Sequence, residues 1–299
     1  MTHIKSIYII SFLLFIWITP YAQNDIFLVQ GLPKETVSNK VKSCNIYSVD
    51  TKGVRNLELS KQYDNKGLLN IEVDFTNSNI TKYMYNNIAR IGELENLYFE
   101  GGDTSLILSK SVSVFFYNES KQIERIETTD SSSKEIIRFV YDEYNRIKEK
   151  KCVNNFDSLL WVQNYSYDTL YDGIVEVNIS TTTGFTNKEF FDSKGRRIKS
   201  KSDNLYNFCL YKNNTNLQRM FEQISFDSNG DVNYTETELF FYNKKDLLSQ
   251  KEVYINGQLE SVFILMYNDY NLLYKINVSK DGNINSTQCI EIYEYDYYP

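Results

Sequence analysis

One short pattern recurs along most of the chain and limits what the chain can fold into. "KQYDNKGLLNIEV" from residue 61, "FVYDEYNRIKEK" from 139, "EFFDSKGRRIKSK" from 189, "ISFDSNGDVNYTE" from 224, "FFYNKKDLLSQKE" from 240 and "LMYNDYNLLYKIN" from 265 share one layout. An aromatic residue precedes Asp or Asn, then comes a short polar turn, then apolar residues alternate with polar ones. The aromatics are Tyr63, Tyr85, Tyr117, Tyr141, Phe191, Phe226, Tyr242 and Tyr267, with weaker copies at Tyr167 and Tyr211. Partial copies begin at Val49 and Val278. Spacings of roughly 20 to 26 residues are the length scale of repeat architectures.

Each position of the pattern has a physical role. Asp64, Asp142, Asp192, Asp227, Asn243 and Asn268 follow the aromatic, where a side-chain oxygen can accept backbone N–H groups two or three residues on and start a turn. Gly67, Gly195, Gly230 and Gly282 supply a positive φ cheaply, and Asn145 and Asn271 tolerate it. After the turn, "LLNIEVDF", "IERIETT", "RIKSKS" and "LLSQKEVYI" alternate with period two, which indicates half-buried antiparallel strands. One unit is a hairpin or strand pair whose Tyr or Phe recurs at equivalent cross-strand sites and stacks into a ladder. Such a unit cannot bury its apolar face alone, so neighbouring units must stack. "TNLQRMFEQI" from 215 reads as a helix or as a strand about equally well.

The expected fold is therefore all-β: an antiparallel meander of repeated hairpins in one long twisted or spiralling sheet. Residues 49–299 carry the repeats, 23–48 form a lead-in with a first strand, and 1–22 read as a signal peptide. The leader has Lys5, an apolar run from Ile7 to Ile18 and a cleavage position at Ala22. The run is shorter than the about 20 residues a spanning helix needs, and no later stretch approaches that length. The chain is thus expected to be exported: periplasmic, outer-membrane-associated or extracellular, with no membrane span in the mature part. Cys44, Cys152, Cys209 and Cys289 match no zinc spacing; they are open to disulfide pairing or to a role as isolated buried thiols.

The repeats resemble the YD (RHS-type) family. "YDNKGLL" at 63, "YDEYNRI" at 141 and "FDSKGRRI" at 191 carry the likeness, with "YMYN" at 83, "YSYD" at 165 and "YEYD" at 293 adding the preceding aromatic. The opening is similar to that of small exported members of that family from the Bacteroidetes. The resemblance implies antiparallel strands in a curving sheet that spirals, in long members, into a shell around a toxin. Here the chain ends within the repeat, so an open sheet or an incomplete turn of a spiral is expected, without a closed toxin shell.

Chemistry is sparse. The one histidine, His3, lies in the leader, so a mature chain has no imidazole for nucleophilic triads, acid–base work or zinc. The sequence contains no phosphate-binding loop and no dinucleotide fingerprint. "DSNGD" at 227 and "SKDGN" at 279 lack the terminal Glu of a calcium loop and read as turns. The formal net charge is -7 with signs interspersed, so the electrostatic footprint of nucleic-acid binding is missing. No cofactor is implied. "SLLWVQNYSYD" places Trp161, Tyr165 and Tyr167 on one strand face, as stacking aromatics for a ligand or as core. The expected function is a non-enzymatic, exported repeat protein presenting a sheet surface to an envelope protein or glycan. The alternatives are a carboxylate-dependent glycan hydrolase or lyase, and an orphan or accessory relic of an RHS-type toxin system.

Overall fold

The computed structural model describes residues 41–297 apart from 51, 87–89, 101–102, 171–172, 213–214 and 281–287, so the leader and Gly282 lie outside the described residues. The strands follow one another without an α-helix among the described residues. They are β1 (Val41–Val49), β2 (Arg55–Tyr63), β3 (Leu69–Asp74), β4 (Asn79–Tyr85), β5 (Ile91–Glu100), β6 (Asp103–Tyr117) and β7 (Ile123–Thr129). Next come β8 (Lys134–Tyr141), β9 (Ile147–Asn154), β10 (Leu159–Thr169), β11 (Val175–Thr181), β12 (Thr186–Phe191), β13 (Arg197–Ser202) and β14 (Leu205–Tyr211). The last are β15 (Gln218–Phe226), β16 (Val232–Tyr242), β17 (Leu248–Ile255), β18 (Gln258–Tyr267), β19 (Leu273–Lys280) and β20 (Gln288–Tyr297). The ambiguous "TNLQRMFEQI" falls largely within β15.

Every strand pairs antiparallel with the next, and β20 then pairs with β1 through Cys44↔Tyr295, Ile46↔Tyr293 and Tyr47↔Ile292. The sheet of twenty strands is therefore a closed barrel. This corrects the expectation of an open, spiralling sheet, and with it the YD/RHS-type repeat architecture that the resemblance implied. An open sheet would leave the N–H and C=O groups of β1 and β20 unpaired along two edges, and closure removes both. Bulges supply the curvature. The register slips by one residue at Gln62/Tyr63, Met84/Tyr85, Phe116/Tyr117, Val140/Tyr141, Phe241/Tyr242 and Met266/Tyr267, beside the repeated aromatic each time.

The turns that follow these aromatics share one construction and lie on one rim. Asp64 donates its N–H to Leu68 O, its own C=O accepts from Gly67, and its Oδ1 accepts the N–H groups of Lys66 and Leu68. Gly67 sits at φ 78°. Asp142, Asp192, Asn243 and Asn268 accept in the same way, with Asn145 (φ 62°), Gly195 (φ 75°), Asp246 (φ 59°) and Asn271 (φ 61°) in the left-handed position. The opposite rim uses the same turn at Asp50, Asn154 and Asp227, the last with Gly230 at φ 87°. Phe226 and Asp227, which the sequence groups with the other units, therefore belong to that opposite rim.

Alternation gives the wall two faces. In β11, Val175, Val177 and Ile179 are buried, while Glu176, Asn178 and Ser180 lie on the other side. The core is a continuous layer on the first face, running from Val41 and Cys44 through Tyr63, Leu69, Tyr83 and Phe115 to Phe191. Cys44 and Cys152 are buried free thiols in this layer, Cys209 is a buried free thiol on the same face, and the side chain of Cys289 lies outside the described residues.

Hydroxyl bonds, and not ring stacking, link successive units on this face. Tyr141 Oη donates to Ile123 O at 2.7 Å, just past the point where backbone pairing of β7 with β8 ends at Arg125↔Arg138. Tyr85, Tyr117, Tyr167, Tyr211, Tyr242, Tyr267 and Tyr295 donate equivalently to Leu69, Ile91, Ile147, Arg197, Gln218, Leu248 and Leu273, at 2.6–2.9 Å. Each bond closes the open end of one hairpin. Burial pushes the Tyr85 and Tyr141 hydroxyls up to about 12, so they remain donors at physiological pH. At Phe191 the backbone register itself reaches the rim through Val175↔Phe191, and the ring is 1% exposed. That unit closes without a hydroxyl.

This contrast sets opposite expectations for a single oxygen atom. Tyr141→Phe should lose about 1 kcal/mol of stability. Phe191→Tyr, which buries a hydroxyl at a site that backbone pairing already closes, should also destabilise, by about 1–3 kcal/mol. Urea denaturation of both variants checks this, and a stabilised Phe191→Tyr would refute the register argument.

Candidate ligand-binding face of strands β10 to β15

The face opposite the core carries most of the charge. Glu95 is held between Lys82 (2.7 Å) and Lys110, and Glu127 between Lys134 (2.7 Å) and Arg125 (2.9 Å). The Lys110 bond, then that of Lys82, holds the Glu95 carboxyl below its ordinary range, and Lys134 does the same for Glu127. These acids are committed to ion pairs.

From β10 to β13 the side chains shorten and the face sinks into a groove of about 630 Å³. Asn164 and Ser166 of β10, Asn178 and Ser180 of β11, Lys188 of β12 and Lys201 of β13 line it. The alternation of β10–β12 explains this composition: Tyr165, Ile179, Asn187 and Glu189 turn to the buried side, leaving amides and hydroxyls on this one.

An aromatic platform adjoins the groove. Tyr206 and Phe208 of β14 stack at 6.4 Å, and Phe226 of β15 meets Tyr206 edge-on at 5.4 Å. Lys199 lies among three rings, 5.3 Å from Phe190 and 5.5 Å from both Tyr206 and Phe208, while Lys201 lies 4.9 Å from Tyr206. The rings are half-buried, so each keeps part of its surface open.

The aromatics singled out from sequence stand elsewhere. Trp161, Tyr165 and Tyr167 share the core face, as their spacing requires. Tyr165 is buried and donates to Gln163 at 2.7 Å, Tyr167 closes a hairpin, and Trp161 packs on the core. The remaining repeat residues, Tyr63, Tyr242 and Tyr267 with their turn partners Asp64, Asn243 and Asn268, hold the rim and the core face, away from the groove. Asp142 and Asp192 have a second task, because each pairs with the arginine that ends its own turn. Arg146 then lies 4.1 Å over the Tyr167 ring and Arg196 4.6 Å over Tyr211, tying each turn to the next unit. Sequence reasoning missed Lys188, Lys199, Lys201, Phe190, Tyr206 and Phe208. Their signal was the period-two alternation of "TNKEFF", "RIKSKS" and "LYNFCLY".

One buried cation stands in the core layer. Lys150 is 5% exposed, lies 5.3 Å from the Tyr165 ring and 5.8 Å from Phe139, and is pushed down to about 8 by burial, which Glu189 partly offsets. Glu189 is 2% exposed and bonded to Arg197 at 3.3 Å; burial raises its carboxyl against the pull of Arg197 and Lys150.

No family model matches the chain, and no characterised protein matches it by sequence. Among solved structures the chain is similar to a porin-like protein from Bacteroides vulgatus ATCC 8482, with 9% identity over 87% of this chain and 99% of that one and a TM-score of 0.36. A porin-like protein from Bacteroides uniformis ATCC 8492 shows 8% identity over 86% and 96% of the two chains, with a TM-score of 0.34. The Tc holotoxin pore of Photorhabdus luminescens shows 10% identity over 86% of this chain and 17% of that one, with a TM-score of 0.23.

Because the folded value of Lys150 lies below its unfolded one, the fold carries the full penalty of the charge below about pH 8. The penalty is relieved as pH rises towards the ordinary lysine value near 10. Stability should therefore gain from pH 8 to 9.5. Lys150→Met should remove that gain and stabilise the protein at pH 7 by roughly 2–3 kcal/mol. Denaturation curves at pH 7, 8 and 9.5 measure both, and an unchanged pH slope in the variant would exclude Lys150 as the cause.

Proposed function

We propose that this chain is an exported, non-enzymatic β-barrel that binds a glycan at the cell envelope on the polar face of β10–β15. One observation carries the reading: a groove of amide and hydroxyl side chains lies beside accessible rings on a single continuous sheet surface. Amides and hydroxyls exchange hydrogen bonds with sugar hydroxyls, and aromatic faces pack on the C–H faces of pyranose rings. Adjacent hydrogen-bonded strands hold these groups in fixed register, so little ordering is needed on binding. Export rests on the leader sequence.

Neither face of the wall is proposed to meet lipid: one holds the packed core and the other meets water. The core face carries the pairs Lys61–Glu72 (3.1 Å), Glu189–Arg197 (3.3 Å) and Glu238–Lys251 (2.8 Å), and the polar face carries more charge still. A lipid-facing strand pays about 2–4 kcal/mol for each Lys or Arg at mid-membrane, so the charges on either face oppose burial in lipid.

The test is binding of purified mature protein to a panel of envelope polysaccharides by titration calorimetry. Tyr206→Ala and Phe208→Ala should each weaken binding about 5- to 10-fold, near 1 kcal/mol, with the melting transition kept. Full affinity in both variants, or no binding to any glycan, would overturn the reading.

A further inference from the structure

Three lysines crowd the proposed binding face in a chain whose formal net charge is -7. Lys188 and Lys201 stand directly opposite each other on β12 and β13, and Lys199 follows two residues along, opposite Phe190. Like charges placed directly across a ladder are unfavourable. Elsewhere on the same face the structure interleaves acids between its cations, as with Glu95 and Glu127. Here it does so only once, for Lys188, which pairs with Glu176 at 2.7 Å. Among the described residues no carboxylate lies within ion-pair distance of Lys199 or Lys201, and the contacts they make are with rings.

We infer that the ligand of this face is an anionic glycan, one whose sugars bear carboxylate or sulfate groups. The inference rests on the glycan-binding reading and narrows it. An anion placed over β12–β13 relieves the Lys188–Lys201 repulsion and supplies the counter-charge that the fold withholds. A lysine suits this task, being a compact charge with three donors on a flexible stem that can follow a polymer's carboxylates. The groove amides take the sugar hydroxyls while Tyr206 and Phe208 take the ring faces. A neutral glycan would use the groove and the rings but leave both unpaired ammonium groups uncompensated.

The experiment compares a polyuronate with a neutral polysaccharide of similar length and with a single-stranded oligonucleotide. Each is titrated into mature full-length protein and into the Lys199→Gln/Lys201→Gln double variant at low and at physiological salt. The polyuronate should bind at least about tenfold more tightly than the neutral chain and weaken as salt rises. The double variant should lose that advantage, binding the polyuronate no more tightly than it binds the neutral chain, while keeping its melting temperature. Equal binding of the polyuronate and the neutral polysaccharide would overturn this inference and leave the glycan reading intact. Tighter binding of the oligonucleotide would show that the face selects a polyanion of another class and overturn the inference. Failure of both polysaccharides to bind would overturn the inference and the glycan reading together.

Discussion

The hydrogen bond from a rim tyrosine to the carbonyl at the start of the preceding strand is the interaction on which the architecture depends. A hairpin closed by a turn at one end is open at the other, and its last carbonyl and last side chain would fray into water. Tyr141 to Ile123, Tyr167 to Ile147 and their six counterparts close those ends. Each is worth only about 1 kcal/mol. Their effect lies in repetition, and the rings of Tyr85, Tyr117, Tyr141, Tyr167 and Tyr295 also pack against the core. Turn and tyrosine therefore close alternate strand pairs around one rim.

With the rim secured, the rest of the molecule divides cleanly. The tyrosine-bearing face holds the packed core and a few costly charges, Lys150 chief among them. The other face is free to vary, and along β4–β8 it is filled with interleaved ion pairs. At β10–β15 that habit stops: short polar side chains open a groove, rings gather beside it, and two lysines have no acid within ion-pair distance among the described residues. The proposed function and the anionic ligand both derive from that local departure from the pattern.

Much of this was legible in the sequence, and the misses have identifiable causes. Asp64, Asp142 and Asp192 could be read as turn residues because an Asx side chain acts on its own neighbours, within four residues. Closure could not be read in this way, since it depends on Cys44 meeting Tyr295 across the whole length of the chain. Local alternation also misleads at bulges. In "RIKSK" strict period two would put Arg197, Lys199 and Lys201 on one face. The slip between Phe190 and Phe191 sends Arg197 to Glu189 on the core side and leaves the two lysines with Phe190 and Tyr206. Phe226 matched the repeat in letters but sits on the opposite rim, because a turn motif does not record which way its strand runs. The recurring Tyr suggested stacked rings, whereas its hydroxyl is the group at work.

The central claim is that the first and last strands meet. Asn45 and Glu294 face each other directly across β1 and β20 on the polar side, so cysteines placed there fall near disulfide range. Mild oxidation of Asn45→Cys/Glu294→Cys should yield an intramolecular 45–294 disulfide, found by peptide mapping of the monomer, in high yield without reducing the melting temperature. Absence of that crosslink, while a control pair at Asn164 and Ser180 within the β10–β11 hairpin oxidises readily, would show the sheet to be open and contradict the account.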